Sequence, residues 1–183
     1  TYFTHSDFFY HREERMKRFN RGMRSDFRNE FRQMVDDEVI VATTTVPVNP
    51  KNKTVFFIVH TRGQSAAREK LTGLLSNYSA RHEIAVNDLK SEFNIDDDLA
   101  YTFFRFPYPS FPGIWLGKPY GMANANYVTF YGNYMVFCNS ERGMQEYLRS
   151  MTLGATLDKN MRYQKFGQKS SNRANINVYA NMN

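Results

Sequence analysis

The sequence contains four histidines, the residue type that most often binds metal ions or acts as a general base: His5, His11, His60 and His82. No two of them stand four residues apart with the intervening glutamate that a metalloprotease helix requires. His11 and Glu14 could contribute two ligands, but both lie at the start of a charged helix, where such a pair usually faces solvent. We therefore predict no metal site and no cofactor.

Cys138 is the only cysteine, which excludes an intrachain disulfide and a cysteine-rich zinc site. Its aromatic and β-branched surroundings are typical of an inert buried thiol. The acidic run 96–98 lacks the alternating ligands, central glycine and closing glutamate of a calcium-binding loop. No phosphate-binding loop, dinucleotide fingerprint or nucleophile elbow occurs. Nothing here supports an enzyme positively, although catalytic residues that converge from distant positions leave no local motif.

Arginines are concentrated in the N-terminal segment, which carries most of the excess behind the net charge of +6. Five of them could neutralise successive phosphates or another anionic surface: Arg15, Arg18, Arg21, Arg24 and Arg28. The same segment has interspersed acids and a continuous apolar stripe, which favours an ordinary amphipathic helix packed on a sheet. Anion binding by this helix is therefore the alternative hypothesis.

The segment 107–125 contains four prolines and three glycines, so regular structure should break down there. Long loops inside compact domains are often functional. Four aromatic residues could form a shallow site for a peptide, a glycan or a hydrophobic ligand: Tyr108, Phe111, Trp115 and Tyr120. The other interpretation is that these rings cover the edge of a sheet.

Helical spacing of apolar residues marks four segments: 12–35, 64–77, 141–151 and 157–166. The first has the clearest stripe: Met16, Phe19, Met23, Phe27, Phe31 and Met34. Asn139 or Ser140 can cap the third helix, and Gly154 should end it. Thr156 can cap the fourth, whose inward residues should be Leu157, Met161 and Phe166.

Strand composition marks six segments: 38–46, 54–60, 99–106, 127–131, 134–138 and 176–180. The first two should form a hairpin across the loop 50–53, and Gly132-Asn133 predicts a tight hairpin between the fourth and fifth. Segment 85–98 is polar and ambiguous. We predict an α+β fold in which helices pack on one face of an antiparallel or mixed sheet. We expect one domain over 1–183, with two similar subdomains at about 12–106 and 126–183 as the alternative.

The composition, 42% hydrophobic and 16% aromatic, is that of a folded chain. No stretch approaches the roughly 18 apolar residues of a membrane span. The first ten residues lack both an initiator methionine and a signal-peptide pattern. We therefore interpret the chain as a piece of a larger protein.

The C-terminal part carries four pieces in a fixed order: a hairpin at 132–140, a helix at 141–150, a segment GATLDKNMRYQKF at 154–166 and a terminal strand at 175–181. This arrangement resembles a family of uncharacterised bacterial proteins that are tethered to the cytoplasmic membrane and face the periplasm or the exterior. The resemblance implies an extracytoplasmic setting and a membrane anchor outside this chain. It implies no known activity.

We therefore predict a non-catalytic extracytoplasmic domain of a membrane-anchored bacterial protein that acts as a structural or interaction module. Its partner would be an envelope protein, a peptide or a glycan, and the anchor alone would contact the membrane. The nucleic-acid alternative requires a cytoplasmic location and an affinity that falls steeply with salt.

Overall fold

The computed structural model describes residues 7–46, 49–95, 99–117, 120–156, 159–168 and 178. The chain divides into two compact units, Thr1–Gln145 and Glu146–Asn183. The first unit holds every strand that the structure describes. The second holds the later part of one helix and a further short helix.

The helices and strands follow in this order: α1 (Asp7–Met23), α2 (Phe27–Met34), β1 (Val35–Val46), β2 (Asn49–Thr61), α3 (Gln64–His82), β3 (Lys90–Asn94), β4 (Ala100–Arg105), α4 (Phe111–Leu116), β5 (Tyr127–Tyr131), β6 (Tyr134–Cys138), α5 (Glu141–Thr152) and α6 (Met161–Gly167). A short 3-10 turn, Val86–Leu89, precedes β3.

The six strands form one antiparallel sheet in the order β1-β2-β6-β5-β4-β3. The chain therefore has the predicted α+β fold. Gly132 takes a φ of 53° in the tight turn between β5 and β6, a conformation that favours glycine and fixes the predicted hairpin. Strand β2 lies beside β6, so the early hairpin extends the later one into a single sheet.

Helical residues and one face of the sheet share a hydrophobic core rich in aromatic rings. All six residues of the predicted apolar stripe are buried, which confirms that interpretation. They join core residues from β2 at alternating positions, Val55, Phe57 and Val59. The opposite face of β6 meets the start of α5, where a Cβ on Gly143 would lie 3.0 Å from the Cys138 Sγ.

The sequence predicts one continuous helix over 12–35, and this prediction is wrong. In the structure the helix is interrupted at residues 24–26. Arg24 has a φ of 49°, which no α-helix accommodates. Asp26 then caps α2, because its carboxylate accepts a hydrogen bond from the Asn29 backbone N–H at 3.4 Å. The break redirects the chain while the apolar stripe stays buried on both helices.

Two other predicted loops contain regular structure. Strand β2 begins at Asn49, so the predicted loop 50–53 is part of the strand, and α3 extends to His82. The ambiguous segment 85–98 supplies β3, and the proline-rich segment contains α4. Pro112 lies in the first turn of α4, where its missing N–H would have had no helical partner.

In the second unit, Gly154 adopts a φ of 64° two residues beyond α5, and confirms the predicted helix stop. Helix α6 begins at Met161 and not directly after Thr156, because the Asn160 Oδ1 accepts hydrogen bonds from the next backbone N–H groups. Met161 is 76% exposed and does not face inward. Leu157, the Phe166 side chain and the predicted final strand, apart from Val178, lie outside the described residues.

Candidate interaction surfaces

The outer edge of β1 presents backbone groups that none of the described strands uses. Two hydrogen bonds between β2 and the β6 side of the sheet involve odd-numbered residues of β2. Thr61 N donates to Asn133 O at 2.7 Å, and Asn139 N donates to Val55 O at 3.3 Å. The odd-numbered residues of β2 therefore direct their N–H and C=O groups toward β6. Because these directions alternate along an antiparallel strand, the even-numbered residues of β2 face β1. The register then directs outward the backbone groups of Val39, Val41, Thr43 and Thr45.

The central part of the same segment has exposed side chains on both sheet faces. Val41 pairs with Phe57 and shares the helix-covered face, whereas Ile40 pairs with Ile58 on the opposite face. Both β1 side chains remain open to solvent, Ile40 at 39% and Val41 at 38%. Thr43 and Thr44 are exposed as well. Residues 39–46 contain no charge, proline or glycine, and their regular part, Val39–Thr45, forms the outer backbone edge of the sheet.

The other edge of the sheet, β3, is protected in the usual way. It has five residues, and two of them carry opposite charges that meet, with the Lys90 Nζ 2.6 Å from the Glu92 Oε1. Short length and charge are common defences against edge pairing. Strand β1 has twelve residues and lacks both defences along its central part. The contrast singles out β1 as the edge that is open to pairing.

Charges mark the two ends of β1. At its beginning, a register irregularity between Val35 and Val39 accommodates three exposed acids, Asp36–Glu38. Asp36 Oδ2 lies 3.4 Å from His60 Nδ1, and Glu38 accepts a hydrogen bond from the Tyr134 hydroxyl at 3.2 Å. Burial, followed by the nearby Glu38 charge, raises the pKa of Tyr134. At the other end the exposed Lys53 pairs with Thr45.

The five predicted anion-binding arginines fall on two helices and the turn between them. Arg15, Arg18 and Arg21 are exposed on α1, and Arg24 is exposed in the turn. Arg28 lies on α2 and binds the Glu13 carboxylate at 2.9 Å, which neutralises part of its charge. The break after Met23 means that the five do not form one straight row.

The four aromatic residues of the predicted ligand surface pack against the core. Phe111 is completely buried and therefore offers no surface to a ligand. Trp115 stacks on Phe111 with ring centroids 5.8 Å apart, and Tyr108 meets Phe19 edge to face at 4.3 Å. Tyr120 lies 6.4 Å from Phe57. These contacts support the packing interpretation, and a ligand role for the three partly buried rings stays a prediction.

A groove of about 670 Å³ lies elsewhere in the first unit, at the end of β4 and the start of β5. Its lining mixes aromatic and polar groups, including Tyr78, Arg105, Asn126 and Tyr127. Asn126 already donates through Nδ2 to the Asn139 carbonyl at 2.7 Å. The sequence interpretation missed this groove because its lining comes from four separate parts of the chain.

Cys138 and the histidines are the reactive side chains that the sequence offers. Burial raises the pKa of the Cys138 thiol to about 11, so the reactive thiolate is scarce at neutral pH. No group of three or more histidine, cysteine or acidic side chains in the described part of the chain could hold a metal ion. His60 lies on β2 and His82 ends α3.

Strand β1 was recognised in the sequence, but its exposed edge was not. Its composition resembles that of the central strands, and the position of a strand in a sheet depends on tertiary pairing. One available signal was the length of the uncharged run between acidic and proline boundaries.

No described helix is both long enough and apolar enough to cross a membrane. Comparison with known proteins adds no relative, since no protein family, no curated protein and no solved structure matches the chain.

Proposed function

We propose that this chain is a non-catalytic interaction module that binds an extended segment of a protein partner by strand addition at β1. The observation that carries the proposal is the edge of Val39–Thr45, which pairs with no strand in the described part of the chain and directs four sets of backbone groups away from the sheet. In strand addition, main-chain hydrogen bonds supply affinity and alternate side chains supply specificity. The exposed Ile40 and Val41 offer such side-chain contacts on both faces.

The chemistry of the edge indicates the partner class. An apolar or β-branched extended segment would match the uncharged run. A basic residue near one end of that segment would complement the acids at Asp36–Glu38. The partner is therefore a polypeptide and not a glycan, whose rings cannot supply a ladder of N–H and C=O groups.

Peptide binding to a variant that lacks one outward N–H tests the proposal. Thr43→Pro removes that donor while the N–H groups that face β2 stay in place, because proline is tolerated on the open side of an edge strand. Thr43→Val is the matched control, since it retains the N–H and the β-branched shape. We expect an array of short extended β-branched peptides to bind the wild-type chain and Thr43→Val, and to bind Thr43→Pro at least tenfold more weakly.

Amide exchange gives a readout that does not depend on the fold of the variant. In wild-type chain diluted until it is monomeric, the amides of Val39, Val41, Thr43 and Thr45 should exchange faster than those of Ile40 and Ala42, which face β2. Saturating peptide should slow the outward set. Equal binding by Thr43→Pro, or unchanged exchange in the presence of peptide, would exclude strand addition.

We also propose that the module acts outside the cytoplasm in a membrane-anchored bacterial envelope protein. The support is the resemblance of residues 127–181 to a family with that setting. Expression of the full-length parent with a C-terminal tag, followed by protease digestion of intact and permeabilised cells, tests the location. A cytoplasmic segment would overturn it.

A second candidate is binding of an anionic surface by α1 and the turn that follows it, because Arg15, Arg18, Arg21 and Arg24 are all exposed. Such binding should weaken steeply as salt rises. Titration with labelled duplex and single-stranded DNA at low salt tests it, with a variant that reverses the first three of these charges as the control. Absence of binding at low salt would remove this candidate.

A further inference from the structure

We infer that the occupant of the β1 edge is a second copy of this chain, paired antiparallel to β1 about a twofold axis at Ala42. This inference rests on the proposed strand addition and makes it homotypic. The two copies would join their sheets edge to edge through the segment Val39–Thr45.

The backbone of the segment is self-complementary about Ala42. In this register Val39 lies opposite Thr45 of the second copy, and Val41 lies opposite its Thr43. All of these residues direct their N–H and C=O groups outward, so each pair exchanges two hydrogen bonds. Ala42 is the midpoint of the regular ladder between the two register irregularities of β1. It meets its own copy in a close pair without hydrogen bonds, where its small side chain fits.

Charge selects the antiparallel direction. The acids Asp36–Glu38 mark the beginning of β1, and Lys53 lies on the neighbouring strand beside Thr45 at its other end. An antiparallel pair therefore brings the acidic end of each copy toward the Lys53 end of the other. A parallel pair would place the two acidic ends together, which is repulsive.

The twofold arrangement also closes. Each copy uses its only described undefended edge in the interface, and the remaining edge, β3, carries the Lys90 and Glu92 charges. An isologous interface is satisfied with two copies and does not propagate. The pairing thus explains how a long β-branched edge can exist without continued aggregation.

Site-directed cysteine crosslinking tests the register. Ala42→Cys places two thiols on the axis, at a Cα separation of about 4.5 Å, which is within the range of a disulfide. The native Cys138 is completely buried and has a raised pKa, so the wild-type chain serves as a silent control. Ile40→Cys and Thr44→Cys should not form a disulfide alone, but a mixture of the two should, because residue 40 faces residue 44 of the second copy.

We expect sedimentation equilibrium to show dimers for the wild-type chain and Thr43→Val, and at least a tenfold weaker association for Thr43→Pro. Mild oxidation should give covalent dimers with Ala42→Cys and with the mixed pair. Equal crosslinking at all three positions, or a monomer at every accessible concentration, overturns the inference. If the chain is monomeric but peptides still bind and depend on the Thr43 N–H, homotypic pairing fails while strand addition stands; if peptide binding is also absent, both fail.

Discussion

Substitution by alanine should change the stability of the chain in opposite directions at two glycines inside helices. Gly22 lies within α1 and Gly73 within α3, and neither has a positive φ. In an exposed helix interior, Gly→Ala stabilises by about 0.5–1 kcal/mol because alanine loses less backbone entropy on folding. That gain should be realised only where the new methyl group has space.

The space differs completely between the two positions. A Cβ at Gly73 meets nothing within 4 Å, whereas a Cβ at Gly22 overlaps the Tyr108 hydroxyl oxygen and lies 2.8 Å from its Cζ. Tyr108 cannot move freely, because its ring packs edge to face on the buried Phe19. Overpacking of this kind typically costs about 1–3 kcal/mol. We therefore expect Gly73→Ala to stabilise by about 0.5–1 kcal/mol and Gly22→Ala to destabilise by about 1–3 kcal/mol.

Urea unfolding followed by circular dichroism measures both effects. With a slope of about 2 kcal/mol/M, Gly73→Ala should raise the midpoint by about 0.25–0.5 M, and Gly22→Ala should lower it by about 0.5–1.5 M. Tyr108→Phe removes the overlapping oxygen but leaves the ring, so the cost of Gly22→Ala should fall by about 1 kcal/mol in that background. A Gly22→Ala variant as stable as the wild-type chain would refute the close packing of α1 against Tyr108.

Two other variants test the core. Phe111→Ala should lower the free energy of unfolding by about 3–5 kcal/mol, because the ring is fully buried among other aromatic rings. Met122 lies in the same proline-rich segment and is 64% exposed, so Met122→Ala should change it by less than about 0.5 kcal/mol. Urea unfolding distinguishes the two variants, and a small loss for Phe111→Ala would contradict the packing interpretation. Burial raises the pKa of the Cys138 thiol to about 11 in the folded chain, so above pH 9 the thiol ionises more readily in the unfolded chain. The free energy of unfolding of the wild-type chain should therefore fall by about 1.4 kcal/mol per pH unit between pH 9 and 11, relative to Cys138→Ala. A difference between the two that does not vary with pH would rule out the buried neutral thiol.

Local patterns predicted the elements whose residues carry their own signals. The buried stripe from Met16 to Met34 could be predicted, because burial on a helix repeats every three or four residues. The β5–β6 hairpin could be read because Gly132 is the residue type that its turn conformation requires. Periodicity could not predict the break at Arg24, since the apolar stripe continues through it. The available signal was Asp26, a residue type that caps helices, which accepts a hydrogen bond from Asn29 at the start of α2.

Tertiary facts were beyond the same methods. No local sequence pattern places β1 at the edge of the sheet or β6 beside β2. The edge strand β1 and the central strand β6 are both rich in β-branched or aromatic residues, so their compositions do not distinguish their positions. The prolines and glycines of segment 107–125 predict a loop, yet Pro112 lies in the first turn of α4 and the buried Phe111 anchors that helix in the core. The four predicted aromatic ligand residues therefore illustrate how exposure depends on packing and not on composition.

The two edges of the sheet suggest why β1 should be regarded as an interface and not merely as an exposed strand. A protein that gains nothing from an open edge can protect it with one lysine, one proline or a shorter strand, and β3 has charge and short length. Strand β1 places its acids in the irregular part before Val39 and leaves the regular ladder uncharged. A charge introduced by Val41→Lys would give β1 the same protection without disturbing the hydrogen bonds to β2. The variant should remain folded while peptide binding and association between copies both weaken, and this separates the interface role of the segment from its role in the fold.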